Sequence, residues 1–152
     1  MKRIMTAAVV GLLCLGGAAS AQGARTPAAD IVEARQAAMM LSGVAMGSIK
    51  AAIDAGQPLG SQRFPTRALA RWAHAVPGAF PVGSGAEAGV RTNAKPEIWS
   101  DRAGFEARAA DYTVAADRLA ELSAGDDLAA FAAQWTTVRA TCQACHDGYK
   151  TS

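Results

Sequence analysis

The sequence predicts an all-α fold, an antiparallel up-and-down four-helix bundle, and three observations carry that prediction. Alanine dominates the aliphatic content and β-branched residues are few, which favours helix over sheet. Apolar residues recur at three- and four-residue steps over long segments, and no segment alternates as a strand would. Four such segments are joined by two shorter links and one long one, which makes an antiparallel bundle the economical arrangement. A chain of 152 residues suits one domain of this kind.

Residues 1–21 are set apart from that domain. Lys2 and Arg3 precede an apolar stretch around Ala7–Leu15, and Ala19-Ser20-Ala21 closes the segment. A basic start, a short apolar middle and an A-x-A end describe a secretory signal peptide. The apolar stretch falls short of the roughly 20 residues that a spanning helix needs. Cys14 follows Leu13 where a lipoprotein signal would carry a small residue. Cleavage after Ala21 leaves residues 22–152 as an exported domain, periplasmic in a Gram-negative source. No later run reads as a membrane span, so a soluble mature protein is expected. From Gln22 onward 13 Lys and Arg balance 13 Asp and Glu, so bulk charge gives no basis for binding nucleic acid or an anionic membrane. The 51% hydrophobic content and mixed charges argue against a disordered chain.

The first helix is expected from about Ala28 to Ala55, because Val32, Met39, Met46 and Ile53 recur at seven-residue intervals, with Ile49 and Leu41 near the same face. Asp30 and Glu33 suit its positive N-terminal end, and Gly56-Gln57-Pro58 ends it. A second helix covers Pro65–Ala75 and stops at Pro77-Gly78. Residues 78–95 are rich in glycine and without periodicity. So long a loop inside a small domain is expected to pack on a surface or a ligand. The third helix starts near Pro96 or Ser100 and runs to about Ser123, with Phe105, Ala109, Tyr112, Ala116 and Leu119 as its stripe. Asp126 or Asp127 caps the fourth helix, whose stripe is the cleanest in the chain: Leu128, Phe131, Trp135, Val138, Cys142, Cys145.

The chemistry lies at the end of that stripe. Cys142-Gln143-Ala144-Cys145-His146 is C-x-x-C-H, the attachment signature of c-type haem. Two thiols three residues apart share a helix face and suit thioether bonds to the two vinyl groups of one porphyrin, while the adjacent imidazole suits the iron. On an ideal helix the three residues fall within about 100° of arc. Other uses of the motif are weaker. A thioredoxin-like disulfide lacks its βαβ frame, and zinc lacks ligands, since the other histidine, His74, has no cysteine or second pair beside it. A chance match is disfavoured by the helical, exported context.

With its C-x-x-C-H near the end of an all-helical exported domain, the chain resembles the class II c-type cytochromes, the cytochromes c′ and their low-spin relatives of the c556 kind. The likeness extends over residues 22–152. Its local anchors are Arg35-Gln36, the run Lys95-Pro96-Glu97-Ile98-Trp99-Ser100-Asp101, and Cys142–Tyr149. It implies a four-helix bundle holding one haem c through Cys142 and Cys145, often as a homodimer packed through the first two helices.

The sixth iron position then decides the function. His146 would be one axial ligand, and the early first helix should face it across the ring in an up-down bundle. Met39 lies there, about three turns in, and a thioether ligand raises the haem potential. The resemblance makes the residue three after Arg35-Gln36, namely Met39, the distal one: a ligating methionine in c556-type members and a non-ligating apolar residue in c′-type members. Met39 also belongs to the helix seam, where methionine serves as core filler. Met40, expected to face away from the seam, and Met46, two turns further on, are weaker candidates. The resemblance also implies a haem propionate partner in Arg35, against a solvated surface charge as the alternative. Lys150 stands where the family usually has arginine and offers a weaker, single-point contact. Trp99 and Phe80 either cover the haem edge or fill the core. Trp135 reads as core, His74 as an exposed helical residue, and Asp126-Asp127 and Glu97/Asp101 as caps.

Two haem functions follow. One is a carrier of single electrons between periplasmic redox partner proteins, six-coordinate with His146 and Met39. The alternative is a five-coordinate cytochrome c′ that takes up nitric oxide or carbon monoxide. A third reading, a colourless interaction module with a Cys142–Cys145 disulfide, belongs to a different class. An enzyme is not expected, because the sequence carries no acid–base pair, nucleophile constellation or second metal set.

Overall fold

The computed structural model describes residues 26–151. The leader read into residues 1–21, with its cleavage after Ala21, lies outside them. The first long helix, α1, spans Pro27–Asp54, with Pro27 in its first turn and Thr26 as its N-cap, the Thr26 hydroxyl accepting from Ala29 N at 3.2 Å. Helix α2 spans Arg63–Ala75 and follows a 3₁₀ turn at Leu59–Gln62. A one-turn helix, α3, covers Glu97–Ser100. Helix α4 covers Arg102–Leu122, and α5 covers Leu128–Tyr149.

The helix limits expected from the sequence hold to within two residues for α1 and α2, as does the expected start of α5. Of the two expected starts of the third helix, Ser100 lies two residues before α4, whereas a helix begun at Pro96 is broken at Asp101, which leaves helical geometry (φ −116°, ψ 55°) and caps α4 by accepting from Gly104 N at 3.2 Å. Asp127, of the two candidates, caps α5, its carboxylate accepting from Ala130 N at 2.9 Å. The long link contains 3₁₀ turns at Pro77–Ala79 and Ala86–Ala88 and an isolated antiparallel bridge between Ala94 and Lys150.

Helices α1, α2, α4 and α5 form the four-helix bundle, each packed on two neighbours. The α4 stripe is buried throughout, at Phe105, Ala109, Tyr112, Ala116 and Leu119. It meets Leu69 and Ala73 of α2 and Phe131 and Val138 of α5 in one core. The α5 stripe divides along its length: Phe131 and Val138 are fully buried, whereas Trp135, Cys142 and Cys145 are half-buried against the core. Trp135 donates its indole N–H to the Met46 carbonyl of α1 at 3.0 Å, a tie between these helices.

Helix α1 departs from expectation in two ways. Val32 and Ile49 are buried, but Leu41 is 67% exposed, together with Met40 and Val44. Leu41 is two residues, about 200°, from Met39, so it turns to the opposite side of the helix. Further, α1 is long and apolar enough to cross a membrane by length and composition, with mean hydropathy 1.2 over an 18-residue window. The expectation that no run after the leader meets that test is therefore corrected. Its apolar residues exceed those needed for the seam because the Met40–Val44 face carries a second apolar surface.

Truncating the Phe131 ring, fully buried where α4 meets α5, should cost about 3–5 kcal/mol of stability. Asp127→Ala, which removes only a cap, should cost about 1 kcal/mol. Chemical denaturation of both variants measures the difference, and equal losses would contradict this account of the core.

Candidate haem site

The α1–α5 seam is the least extensively packed of the four in the bundle, and a cavity of about 560 Å³ opens beside it. That volume is in the range of cofactor sites. Its walls come from the early part of α1, the end of α2, residues 80–98, Phe105 of α4 and the last turns of α5.

From α5, Cys145 and His146 line the cavity, while Cys142, one turn earlier, packs on the core. Their i, i+3, i+4 spacing puts all three on one side of the helix. Both thiols are free. Burial pushes the Cys142 thiol above its ordinary pKa, and burial followed by the neighbouring Cys142 does the same at Cys145. Burial, then the Lys150 charge, pulls the His146 imidazole below its ordinary value.

Met39 of α1 lines the same cavity, half-buried and packed on the core. The structure thus brings Arg35, Met39, Cys145 and His146 to one space. Met40 lines it too, although it is 69% exposed, so it sits at the rim and is not turned wholly away from the site as expected. Met46 packs on the core and is not among the lining residues.

Arg35 is not a solvated surface charge. It is 3% exposed and reaches across to the long link. Nη1 donates to Ser84 Oγ at 2.8 Å and, at 3.5 Å, to the Ala79 carbonyl. Nη2 donates to the Ser84 carbonyl at 2.7 Å and to Thr92 Oγ1 at 3.0 Å. The guanidinium also lies 4.4 Å from the centre of the Phe80 ring. Desolvation lowers its pKa, with Glu87 acting in the opposite sense. Among the described residues Arg35 forms no ion pair; neutral oxygens meet its Nη hydrogens. Next to it, Gln36 Nε2 donates to the Arg91 carbonyl at 2.8 Å. The Arg35-Gln36 pair therefore holds the link at residues 79, 84, 91 and 92, which accounts for order in a glycine-rich segment. Gly83 and Gly89 take positive φ, 86° and 75°, in its turns.

A second arginine fastens the start of the link. Arg102 of α4 donates to the Pro77 and Phe80 carbonyls at 2.8 and 3.1 Å. The far end is tied to α5, with Lys95 N donating to Tyr149 O at 3.0 Å and Thr151 N to Asn93 O at 2.9 Å. Phe80 lines the cavity, whereas Trp99 does not: its indole N–H donates to Pro81 O at 3.0 Å outside the cavity. Lys150 is exposed and lines the mouth. His74 is exposed as expected and pairs with Asp117 of α4 at 3.0 Å.

Sequence reasoning missed Tyr149 as a cavity residue. Three residues after His146, it continues the Cys142–Cys145 stripe, and that spacing is the signal that would have found it. Its ring packs edge-on to Phe105, which packs in turn against Phe80, with centroids 5.4 and 5.1 Å apart.

The donor set fits haem c: two thiols one turn apart, an imidazole beside them, a thioether on the facing helix, and apolar walls at Val76, Phe80, Ile98 and Phe105. A model of the family described as Cytochrome C′ matches residues 30–150. The chain belongs to that family. A cytochrome c′ from Allochromatium vinosum is 30% identical over 152 residues, covering 99% of both chains. A cytochrome c-556 from Agrobacterium tumefaciens is 37% identical over 123 residues, 78% of this chain and 95% of that one. The crystal structure of cytochrome c′ from Thermochromatium tepidum superposes with a TM-score of 0.76 at 27% identity, over 85% of this chain and all of that one. The protein is therefore a class II c-type cytochrome, a c-type haem protein whose cofactor is covalently bound haem c.

Replacing Arg35 by alanine strands the Ser84 carbonyl, leaves Thr92 Oγ1 with only its bond from Ala94 N, and unfastens the link. A loss of about 2–4 kcal/mol is expected in denaturation experiments, with faster proteolytic nicking between residues 79 and 92. Wild-type stability together with wild-type nicking would contradict the clamp.

Proposed function

We propose that this cytochrome carries single electrons in the periplasm, with His146 and Met39 as its two axial ligands. The observation that carries this reading is that Met39 and His146, from different helices, line one cavity. In it, Cys142 and Cys145 attach the cofactor and residues 22–152 are the exported domain, the first 21 residues being its leader. When bound, haem c supplies an Fe(III)/Fe(II) couple.

The chain's own residues then have distinct tasks. Cys142 and Cys145 fix the macrocycle to the turn that bears His146, so ring and imidazole share one rigid support. Phe80, Ile98 and Phe105 exclude water from one side of the cavity. The Met39 thioether would serve as the second iron ligand and would favour the reduced state. A site closed on both faces rearranges little when its charge changes by one, which suits rapid exchange with redox partner proteins. Arg35 has one guanidinium donor, Nε–H, with no bond to the link, and among the described residues its buried charge makes no ion-pair contact, the Glu87 carboxylate acting on it only through space. A haem propionate would supply both. The exposed apolar face at Met40, Leu41 and Val44 supports a homodimer packed through α1.

A second reading keeps the same attachment but leaves Met39 off the iron and the distal side open to nitric oxide or carbon monoxide. Relatives named cytochrome c′ favour it. So does a solved nitric oxide complex of a variant cytochrome c prime from Alcaligenes xylosoxidans, 26% identical with a TM-score of 0.73.

The spectrum of the oxidised protein separates the two. Ligation by Met39 predicts a low-spin spectrum with a sulfur–iron charge-transfer band that Met39→Ala abolishes, converting the iron to high spin. A high-spin wild-type spectrum, unchanged in that variant, would establish the open site instead.

A further inference from the structure

The last turn of α5 is fastened on two sides. Tyr149 O accepts from Lys95 N at 3.0 Å on the side of the link. On the opposite side the Tyr149 hydroxyl donates to Asp101 Oδ2 at 2.8 Å, while Asp101 Oδ1 holds Gly104 N at 3.2 Å. One carboxylate thus caps α4 and grips the end of α5. Residue 104 has to lack a side chain for this to happen. A Cβ there would lie 2.2 Å from Asp101 Oδ2 and 2.5 Å from the Tyr149 hydroxyl. Both distances are far inside van der Waals contact, so any larger residue displaces both partners. A helix end bound only by its own ladder leaves its last carbonyls without partners and frays. Here that turn bears His146, whose carbonyl accepts from Lys150 N at 3.0 Å.

We propose that Asp101, Gly104 and Tyr149 form a latch that sets the orientation of the His146 turn against the cavity, with Tyr149 and Asp101 as positioning residues for the axial imidazole. This rests on His146 being an iron ligand, as proposed above. Tyr149 does its work through the helix and needs no bond to the cofactor. The latch is independent of the Arg35 clamp, because one grips α4 to α5 and the other α1 to the link.

The test uses the intact, haem-loaded protein and reads the paramagnetically shifted proton resonances of the His146 ring in the oxidised state. It is accompanied by amide hydrogen exchange over residues 147–151. Tyr149→Phe keeps the ring and its contact with Phe105 and removes only the hydroxyl. It should shift the His146 resonances and speed exchange of the last turn about fivefold, with core amides of α4 unchanged. Gly104→Ala should reproduce both effects, and Asp101→Asn, which keeps an acceptor for Gly104 N and a polar partner for the hydroxyl, should restore most of the wild-type pattern. Unchanged His146 resonances in Tyr149→Phe overturn the latch, even if Gly104→Ala fails to fold. A wild-type spectrum with no shifted imidazole resonances overturns the ligand assignment itself, a different outcome from failure of the latch.

Discussion

A guanidinium taken out of water without a carboxylate beside it persists only when its N–H groups are met by other oxygens. In this cytochrome that requirement organises one wall of the haem cavity. Arg35 lies on the same helix as Met39, one turn earlier, and its buried Nη groups hold Ser84 and Thr92 of the link while its planar face rests on Phe80. The link has no helical periodicity, and Val76, Phe80 and Ala88 are its buried apolar anchors, so polar ties fix much of its course. Its position is therefore dictated from α1 by Arg35 and Gln36, from α4 by Arg102, and from α5 by the main-chain bonds at residues 93–95 and 149–151. Three helices thus converge on one irregular segment, and the cavity is what they enclose.

The bundle solves two problems with one set of helices. Around Phe131 and Val138, α5 packs tightly on α4 and supplies ordinary core stability. Toward its end the same stripe continues as Cys142, Cys145, His146 and Tyr149, where the α1–α5 seam is loosely filled and space for a large ring remains. A bundle packed to full density along its whole length would be more stable as a bare polypeptide and useless for holding a macrocycle. The aromatic chain Phe80–Phe105–Tyr149 marks the border between the two regions.

The fold was legible in the sequence because it depends on period. The stripes of α4 and α5, the caps at Asp101 and Asp127 and the glycine and proline stops are local signals, and each falls where spacing placed it. The haem c cofactor was equally legible, since its attachment signature is confined to one helix turn. What escaped were properties set by partners distant in the chain. Whether Arg35 is solvated or buried depends on residues 79–92, which show no periodicity to reveal their path. Leu41 was grouped with the seam although its angle puts it outside, an error that helical geometry alone would have prevented. Gly104 reads as a weakness within a helix until Asp101 and Tyr149 are seen to need the space.

Membership of the cytochrome c′ family shows covalently bound haem c, and the proposed attachment joins it to the last helix through Cys142 and Cys145, with His146 as the ligand beside them. The most direct measurement is acid–acetone extraction of the protein matured in a host with a haem c attachment system, followed by a pyridine haemochrome spectrum of the polypeptide. The account predicts that the pigment stays with the wild-type chain, giving the spectrum of a haem with two thioether links, and that the Cys142→Ser, Cys145→Ser double variant releases it. A colourless wild-type protein, or pigment that leaves it on extraction, would contradict the account at its centre.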